Sequence, residues 1–141
     1  MRKIMIDLNV VLDVIQKREP HYNASAKVLA RAHKREFTGV VPSHALTTIH
    51  YVVAKYKDNH TAAQTVDWLL AAFEIGTVGK KEFLQARTLK MADFEDAVVV
   101  SAALSCDCEM VVTRNVADFT NSLLPALTPE EFLANDLFFG K

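Results

Sequence analysis

Cysteine is scarce in this chain, long hydrophobic runs are absent, and neither sign of charge prevails. Cys106 and Cys108 are the only cysteines among the 141 residues. Alternate positions of a strand lie too far apart for easy disulfide closure, and no partners stand at zinc-site spacing, so two free thiols are expected. No apolar run approaches the roughly 18 residues that a membrane helix needs. Because the sequence also shows no secretory signal, it predicts a cytoplasmic protein rather than a secreted or membrane one.

The balance of charge excludes a broad basic field over the surface. A formal net charge of -1 leaves any attraction for nucleic acid to local basic groups or to a bound cation. Basic groups occur at 17–18, 31–35 and 80–81, and each taken alone is best interpreted as a solvated face. Half of the residues are apolar and 23% are charged, which are the proportions of an ordinary globular protein. The length predicts one domain over residues 1–141.

Strand patterns alternate with helical patterns along the whole sequence. Strands are predicted at 4–6, 37–41, 74–78, 110–113 and near 126–127, and helices at 8–15, 22–34, 43–55, 61–73, 80–90, 93–104 and from 129 onward. Ser43, Asp93 and Thr128 are the predicted N-caps of their helices. Such alternation predicts an α/β sandwich with a mainly parallel sheet.

Four aspartates stand where predicted strands or helices begin or end. Asp7 follows the first strand, Asp93 and Asp96 lie at the start of a helix, and Asp118 follows the fourth strand after a short polar turn. Ligands of open α/β sheets bind outside the carboxyl ends of the strands. Carboxylates that are far apart in sequence but converge at that edge are what a hard divalent cation needs. The sequence therefore predicts a metal site there.

Asp7 has neighbours that strengthen this interpretation a little. Asn9 and Asp13 are four residues apart and share one face of the first helix, so Asn9 could orient an ion or a substrate from the side of Asp7. The other interpretation is that Asp7 only caps the helix and that Asp13 is solvated.

Asp93 and Asp96 are three residues apart, so both can face one site from a helix N-terminus. Capping accounts well for Asp93, and a negative charge in the first turn also suits the helix dipole at Asp96. Glu95 falls on a different face and is expected to meet solvent.

The turn before Asp118 carries further polar groups. Thr113 and Asn115 can bond a phosphate or a water held by a metal, and Arg114 could meet a phosphate, although a surface ion pair is the commoner fate of such an arginine. Each group has an ordinary structural explanation. Their conjunction with the other aspartates favours a functional site.

The chemistry of the cluster can also be anticipated. Crowded carboxylates repel one another unless a cation neutralises them, so raised carboxyl pKa values are expected without metal. Aspartates without histidine or cysteine partners suit Mg²⁺ or Mn²⁺ better than zinc. The five histidines, including His44 and His50, share no metal motif and are expected at the edge of the core or on the surface.

Three segments, 5–13, 93–97 and 112–119, resemble in order and placement the acidic motifs of PIN-domain nucleases. That family comprises metal-dependent ribonucleases, many of them VapC-like toxins of toxin–antitoxin pairs. The resemblance covers nearly the whole chain. It implies a PIN-like three-layer α/β/α sandwich and an endoribonuclease that uses Mg²⁺ or Mn²⁺ to hydrolyse RNA phosphodiester bonds.

The same resemblance implies roles for individual residues and partners. The main metal carboxylates would be Asp7, Asp96 and Asp118, Asp93 would be accessory, and Asn9, Thr113 and Asn115 would support them. RNA would be the substrate, and the partners would be a cognate antitoxin and a second copy of the chain. Apolar residues in the helices at 46–53 and 61–73 could serve such an interface, although core packing is their ordinary use.

One position departs from the family pattern. The family usually places a glutamate on the helix after the second strand, and the matching position here is Thr48. Threonine can hold a water but brings no charge, so the alternative function is a weakened PIN-like module that binds RNA or protein. Asp93 or Asp13 could compensate for the missing carboxylate. A phospho-signalling receiver domain is disfavoured, because no acid follows the strand at 37–41.

Overall fold

Five short parallel strands form the central sheet, in the order β3-β2-β1-β4-β5. The computed structural model describes residues 1–135. Its strands are β1 (Lys3–Ile6), β2 (Thr38–Pro42), β3 (Glu74–Gly76), β4 (Met110–Val112) and β5 (Ala126–Leu127). Its α-helices are α1 (Leu8–Ile15), α2 (Tyr22–His33), α3 (Ser43–Tyr56), α4 (Asn59–Ala72), α5 (Lys80–Ala86), α6 (Phe94–Ser105) and α7 (Pro129–Leu133), and a 3₁₀ helix spans Val116–Phe119.

Helices cover both faces of the sheet, because successive side chains of a strand point to opposite faces. Ile4 and Ile6 of β1 pack into a buried cluster with side chains of α1, α2, α3, α4 and α7. Met5, between them, packs into a second cluster with α6 and the 3₁₀ helix, and α5 packs against α6 in a third. The predicted three-layer α/β/α sandwich with a parallel sheet is therefore confirmed.

The register of β1 and β4 brings two distant segments together at the carboxyl edge of the sheet. Ile6 pairs with Val112, so Asp7 and Thr113 leave adjacent strands at the same level. The backbone N–H of Asp7 continues the ladder by donating to the Val112 carbonyl at 3.0 Å. This edge is where the sequence predicted the site.

Several local predictions need correction. Ser43 is not an N-cap, because Pro42 occupies that position and Ser43 is the first residue of α3; its Oγ instead accepts from the backbone N–H of Val78 at 2.9 Å. Helix α4 begins earlier than predicted because Asp58 caps it by accepting from the Thr61 N–H. Helix α5 ends at Ala86 rather than at position 90, and β3 ends at Gly76.

Cys106 and Cys108 are free thiols, and their Sγ atoms lie 3.5 Å apart. Within residues 1–135, no helix has both the length and the apolar character required to cross a membrane. The last six positions of the expected single domain, 136–141, lie outside the described residues.

Candidate metal centre

Asp7 is buried at the junction of β1 and α1, and both of its carboxylate oxygens are engaged. Its Oδ1 caps α1 by accepting from the backbone N–H of Leu8 at 2.8 Å. Its Oδ2 accepts from the Thr113 hydroxyl at 2.8 Å and from the Asn9 amide at 3.3 Å. These contacts come from the start of α1 and from the residue that follows β4, so the carboxylate is oriented from two sides.

Burial makes the negative charge of Asp7 costly. The residue is 4% exposed, and loss of solvation raises the pKa of its carboxyl from 3.8 to about 6. The hydrogen bond from Thr113 acts in the opposite direction, and the negative charge of Glu95 raises the pKa further. The fold thus holds a carboxylate in a place that favours its protonation.

Asp93 and Asp96 begin α6 as the sequence predicted. Asp93 is the N-cap, and its Oδ1 accepts from the backbone N–H of Asp96 at 3.0 Å. Partial burial is the largest cause of a pKa of about 7 for the Asp96 carboxyl, followed by the negative charges of Asp7, Asp93, Glu95 and Asp118. These four carboxylates belong to three separate segments of the chain, and the negative charge of each one disfavours ionisation of Asp96.

Asp118 and Asn115 lie on the exposed side of this cluster. Asp118 is in the 3₁₀ helix, and Asn115 is its N-cap residue. The Asn115 backbone N–H donates to the Thr113 hydroxyl at 3.1 Å, while its side chain is exposed. The Asn9 amide bridges the two halves of the site, because its Nδ2 lies 3.4 Å from Thr113 Oγ1 and its Oδ1 accepts from the Arg114 N–H at 3.2 Å.

Asp13 is neither solvated nor part of the acidic cluster. Its side chain is fully buried and accepts from Arg114 Nε at 2.9 Å, with Arg18 Nη1 at 3.8 Å. Arg114 is therefore held by a buried ion pair between α1 and the segment after β4, rather than by a surface one. Because Asp13 is committed to two arginines, the idea that it compensates for Thr48 is wrong.

Glu95 and His44 are the site residues that sequence reasoning missed. Glu95 is exposed as expected, but its Oε2 lies 2.9 Å from Nε2 of His44, in the first turn of α3. One oxygen each of Asp93, Glu95 and Asp96 lie within 4.8 Å of one another. Spacing within 93–96 could have indicated this group, whereas nothing local to either residue indicates a contact between positions 44 and 95. Thr48 is exposed on α3, one turn after His44.

The donor set fits a hard divalent cation. It consists of carboxylate oxygens, which Mg²⁺ and Mn²⁺ prefer, and His44 contacts Glu95 rather than replacing a carboxylate. The pKa values of Asp7 and Asp96 are raised by loss of solvation and by repulsion from neighbouring carboxylates, and a bound cation would offset both by favouring the ionised forms.

Comparison with known proteins assigns the family. The sequence pattern of the PIN domain matches residues 3–117, which is most of the chain. The chain therefore belongs to the PIN-domain family. No curated protein matches it by sequence.

Solved structures with the same fold come from toxin–antitoxin systems. VapBC2 from Rickettsia felis, bound to a promoter DNA fragment, matches with a TM-score of 0.69 at 21% identity, covering 89% of this chain and 98% of that one. DNA-bound VapBC from Salmonella typhimurium gives a TM-score of 0.67 at 16% identity, covering 92% and 99%. The sarcin–ricin loop cleaving toxin VapC20 from Mycobacterium tuberculosis gives 0.60 at 11% identity, covering 77% and 86%. At these identities the likeness establishes the fold.

Proposed function

We propose that this protein is a Mg²⁺- or Mn²⁺-dependent endoribonuclease and the toxin of a toxin–antitoxin pair. The observation that carries the proposal is the convergence of Asp7, Asp93, Asp96 and Asp118 at the carboxyl edge of a PIN-domain sheet. The fold is shared with VapBC complexes and with a toxin that cleaves the sarcin–ricin loop, which supports RNA as the substrate.

Asp7, Asp96 and Asp118 hold the cation in this proposal, and Asp93 assists them. A bound cation would supply positive charge against the phosphoryl oxygens and would favour ionisation of a water. Thr113 and Asn9 keep the Asp7 carboxylate in one orientation, so little reorganisation is needed when the ion arrives. The exposed Asn115 amide lies at the rim, where it can donate to a phosphate oxygen of the RNA.

Protonation of the site carboxylates sets the pH range in which the proposed enzyme works. Ligand carboxylates must be ionised, and the pKa values of Asp7 and Asp96 are about 6 and about 7. Activity is therefore expected to rise as the pH increases through this range, at a subsaturating concentration of cation.

Cleavage of RNA in the presence of metal tests the proposal. Structured RNAs are incubated with the full chain over a range of Mg²⁺ and Mn²⁺ concentrations, beside Asp7→Asn and Asp96→Asn. Asp67→Asn, at an exposed position of α4, is the matched control. We expect cleavage by the wild type and the control and none by the two site variants. Absence of cleavage at every metal concentration, or full cleavage by the site variants, would refute it.

The proposed partners are a cognate antitoxin and a second copy of the chain, with which it would form a homodimer. The proposed location of this assembly is the cytoplasm. On α3 and α4, Ile49, Val53 and Leu69 are used in the core, but Tyr51 and Leu70 remain exposed and are available to a partner. Light scattering at micromolar concentration tests the dimer, and a monomer mass would exclude it. Co-purification with the product of the neighbouring gene tests the antitoxin.

The alternative, a weakened binding module, rests on Thr48 alone. The cluster gathers carboxylates without a contribution from α3, so the site does not favour that alternative.

A further inference from the structure

We propose that Glu95, held in place by His44, supplies the metal-centre carboxylate that α3 lacks at Thr48. Glu95 is the ligand in this proposal, and His44 is a positioning residue. The inference rests on the proposed metal centre and assigns a role to two residues whose contact joins α6 to α3.

The position of Glu95 in α6 brings its carboxylate to the other acids. It is in the first turn of the helix, between Asp93 and Asp96, and one of its oxygens lies within 4.8 Å of an oxygen of each. Its Oε2 contacts His44, and among the described residues its Oε1 makes no hydrogen bond. The Glu95 side chain is 48% exposed, so an ion can reach it from solvent.

His44 directs this carboxylate toward α3. His44 and Thr48 are four residues apart on one helix and therefore share a face. The carboxylate of Glu95 thus lies against the face of α3 that carries Thr48, although its backbone belongs to α6. A glutamate at position 48 would extend from this same face.

The contact also restricts the motion of a long side chain. A free glutamate loses rotamer freedom when it binds an ion, and ordering it beforehand reduces that loss. An ionised carboxylate only accepts hydrogen bonds, so Nε2 of His44 carries the proton in this pair. The His44 ring is 26% exposed, which leaves it packed between the two helices rather than swinging in solvent.

The negative charge of Glu95 acts on Asp7, which is buried, and on Asp96, which is partly buried. It raises the pKa of Asp7 and the pKa of Asp96, which places it within electrostatic reach of each.

Affinity for Mn²⁺, measured by titration calorimetry on the full chain, tests this assignment. Glu130→Gln is the matched control, because Glu130 has the same place in the first turn of α7 and is exposed. We expect Glu95→Gln to weaken Mn²⁺ binding at least about tenfold, since even outer partners of metal ligands are worth about 10 to 100-fold in affinity. Glu130→Gln should bind as the wild type does.

Two further variants separate positioning from mere structure. His44→Ala should weaken Mn²⁺ binding several-fold, whereas His44→Gln, which can still donate to Glu95, should bind close to the wild type. Adding Thr48→Glu to Glu95→Gln should restore the affinity, because a carboxylate returns to the same face. The Mn²⁺ electron paramagnetic resonance spectrum should change with Glu95→Gln and revert in the double variant. Thermal unfolding confirms that each variant is folded.

The outcomes are distinguishable. A wild type that binds no Mn²⁺ would refute the proposed metal centre and this inference with it. A wild type that binds Mn²⁺ while Glu95→Gln binds equally well would refute the inference alone. Failure of Thr48→Glu to restore binding would refute the idea that positions 48 and 95 serve one ligand site.

Discussion

Asp7→Asn should stabilise the protein in the absence of metal, although it removes a residue of the proposed site. Asparagine retains a side-chain oxygen that can accept from the Leu8 N–H, so the cap of α1 survives. What changes is the other end of the carboxylate, which accepts from Thr113 and Asn9. The Thr113 oxygen keeps the bond from the Asn115 N–H and can accept from the new amide in place of its weak contact with the Asn9 amide at 3.4 Å, whereas the Asn9 amide then faces a second donor.

The magnitude follows from the pKa of Asp7. The value rises from 3.8 in the unfolded chain to about 6 in the fold, a difference of about 2 units. Each unit corresponds to about 1.4 kcal/mol, so the ionised side chain destabilises the fold by about 3 kcal/mol once the pH is well above 6. The disturbed hydrogen bond costs about 1 kcal/mol at every pH. The net gain for asparagine is about 2 kcal/mol at high pH.

The effect of Asp7→Asn on the free energy of unfolding reverses its sign in acid. A carboxyl whose pKa is raised by folding stabilises the fold most when it is protonated, and this contribution is lost as the pH rises from 3.8 through about 6. Below pH 3.8 Asp7 is protonated in both states, so the variant retains only its hydrogen-bond cost and is less stable than the wild type by about 1 kcal/mol.

Urea unfolding with a chelator present, at about pH 3.5 and about pH 8, measures this crossover. Asp67→Asn, exposed on α4, should track the wild type at both values. Added Mn²⁺ should stabilise the wild type by mass action and leave Asp7→Asn unchanged. A variant that is less stable than the wild type by the same amount at both pH values would refute the reasoning, because burial would then not oppose the charge.

Three other outcomes follow from the structure. Binding of Mn²⁺ should release about one proton near pH 6.5 and almost none near pH 8.5, because the pKa of Asp96 is about 7 and that of Asp7 is about 6. Calorimetry in buffers of different ionisation enthalpy measures the number of protons released. A binding heat near pH 6.5 that does not depend on the buffer would contradict this prediction. Asp13→Asn should destabilise the fold by about 3 kcal/mol in urea unfolding, because Arg114 loses its buried partner, and a loss under about 0.5 kcal/mol would contradict this. Gly39→Ala should cost about 1 to 3 kcal/mol, since the added Cβ would lie 2.7 Å from the Phe73 ring; an unchanged melting temperature would show that the ring moves freely.

The sequence predicted correctly those features of the fold that depend on residues close together in the chain. The bounds of α1, the caps of α6 and α7 by Asp93 and Thr128, and the alternation of strands and helices were all predicted correctly. Each depends on residues within one helical turn or on a short apolar run, so a single segment contains the information.

The errors at Ser43 and Asp13 concern contacts across long stretches of chain. Ser43 has the chemistry of an N-cap, but its oxygen accepts from Val78, which only the β2–β3 pairing brings near. Asp13 has the chemistry of a solvated acid, but Arg114 lies beside it because β1 and β4 are neighbours. The contact between His44 and Glu95 is of the same kind, since it depends on how two helices on different faces begin at one edge of the sheet.

Because two aspartates of the proposed metal centre also cap α1 and α6, the negative charge of that centre is easily lost during evolution. One oxygen of Asp7 and one of Asp93 bond the N–H groups at the start of their helices, and asparagine or serine caps a helix about as well as aspartate. A single substitution at either position can therefore remove the negative charge while the helix keeps its cap. At position 7 such a change also removes a buried charge, so selection for stability does not oppose it. The proposed cation site can therefore be lost in one step while the scaffold is retained.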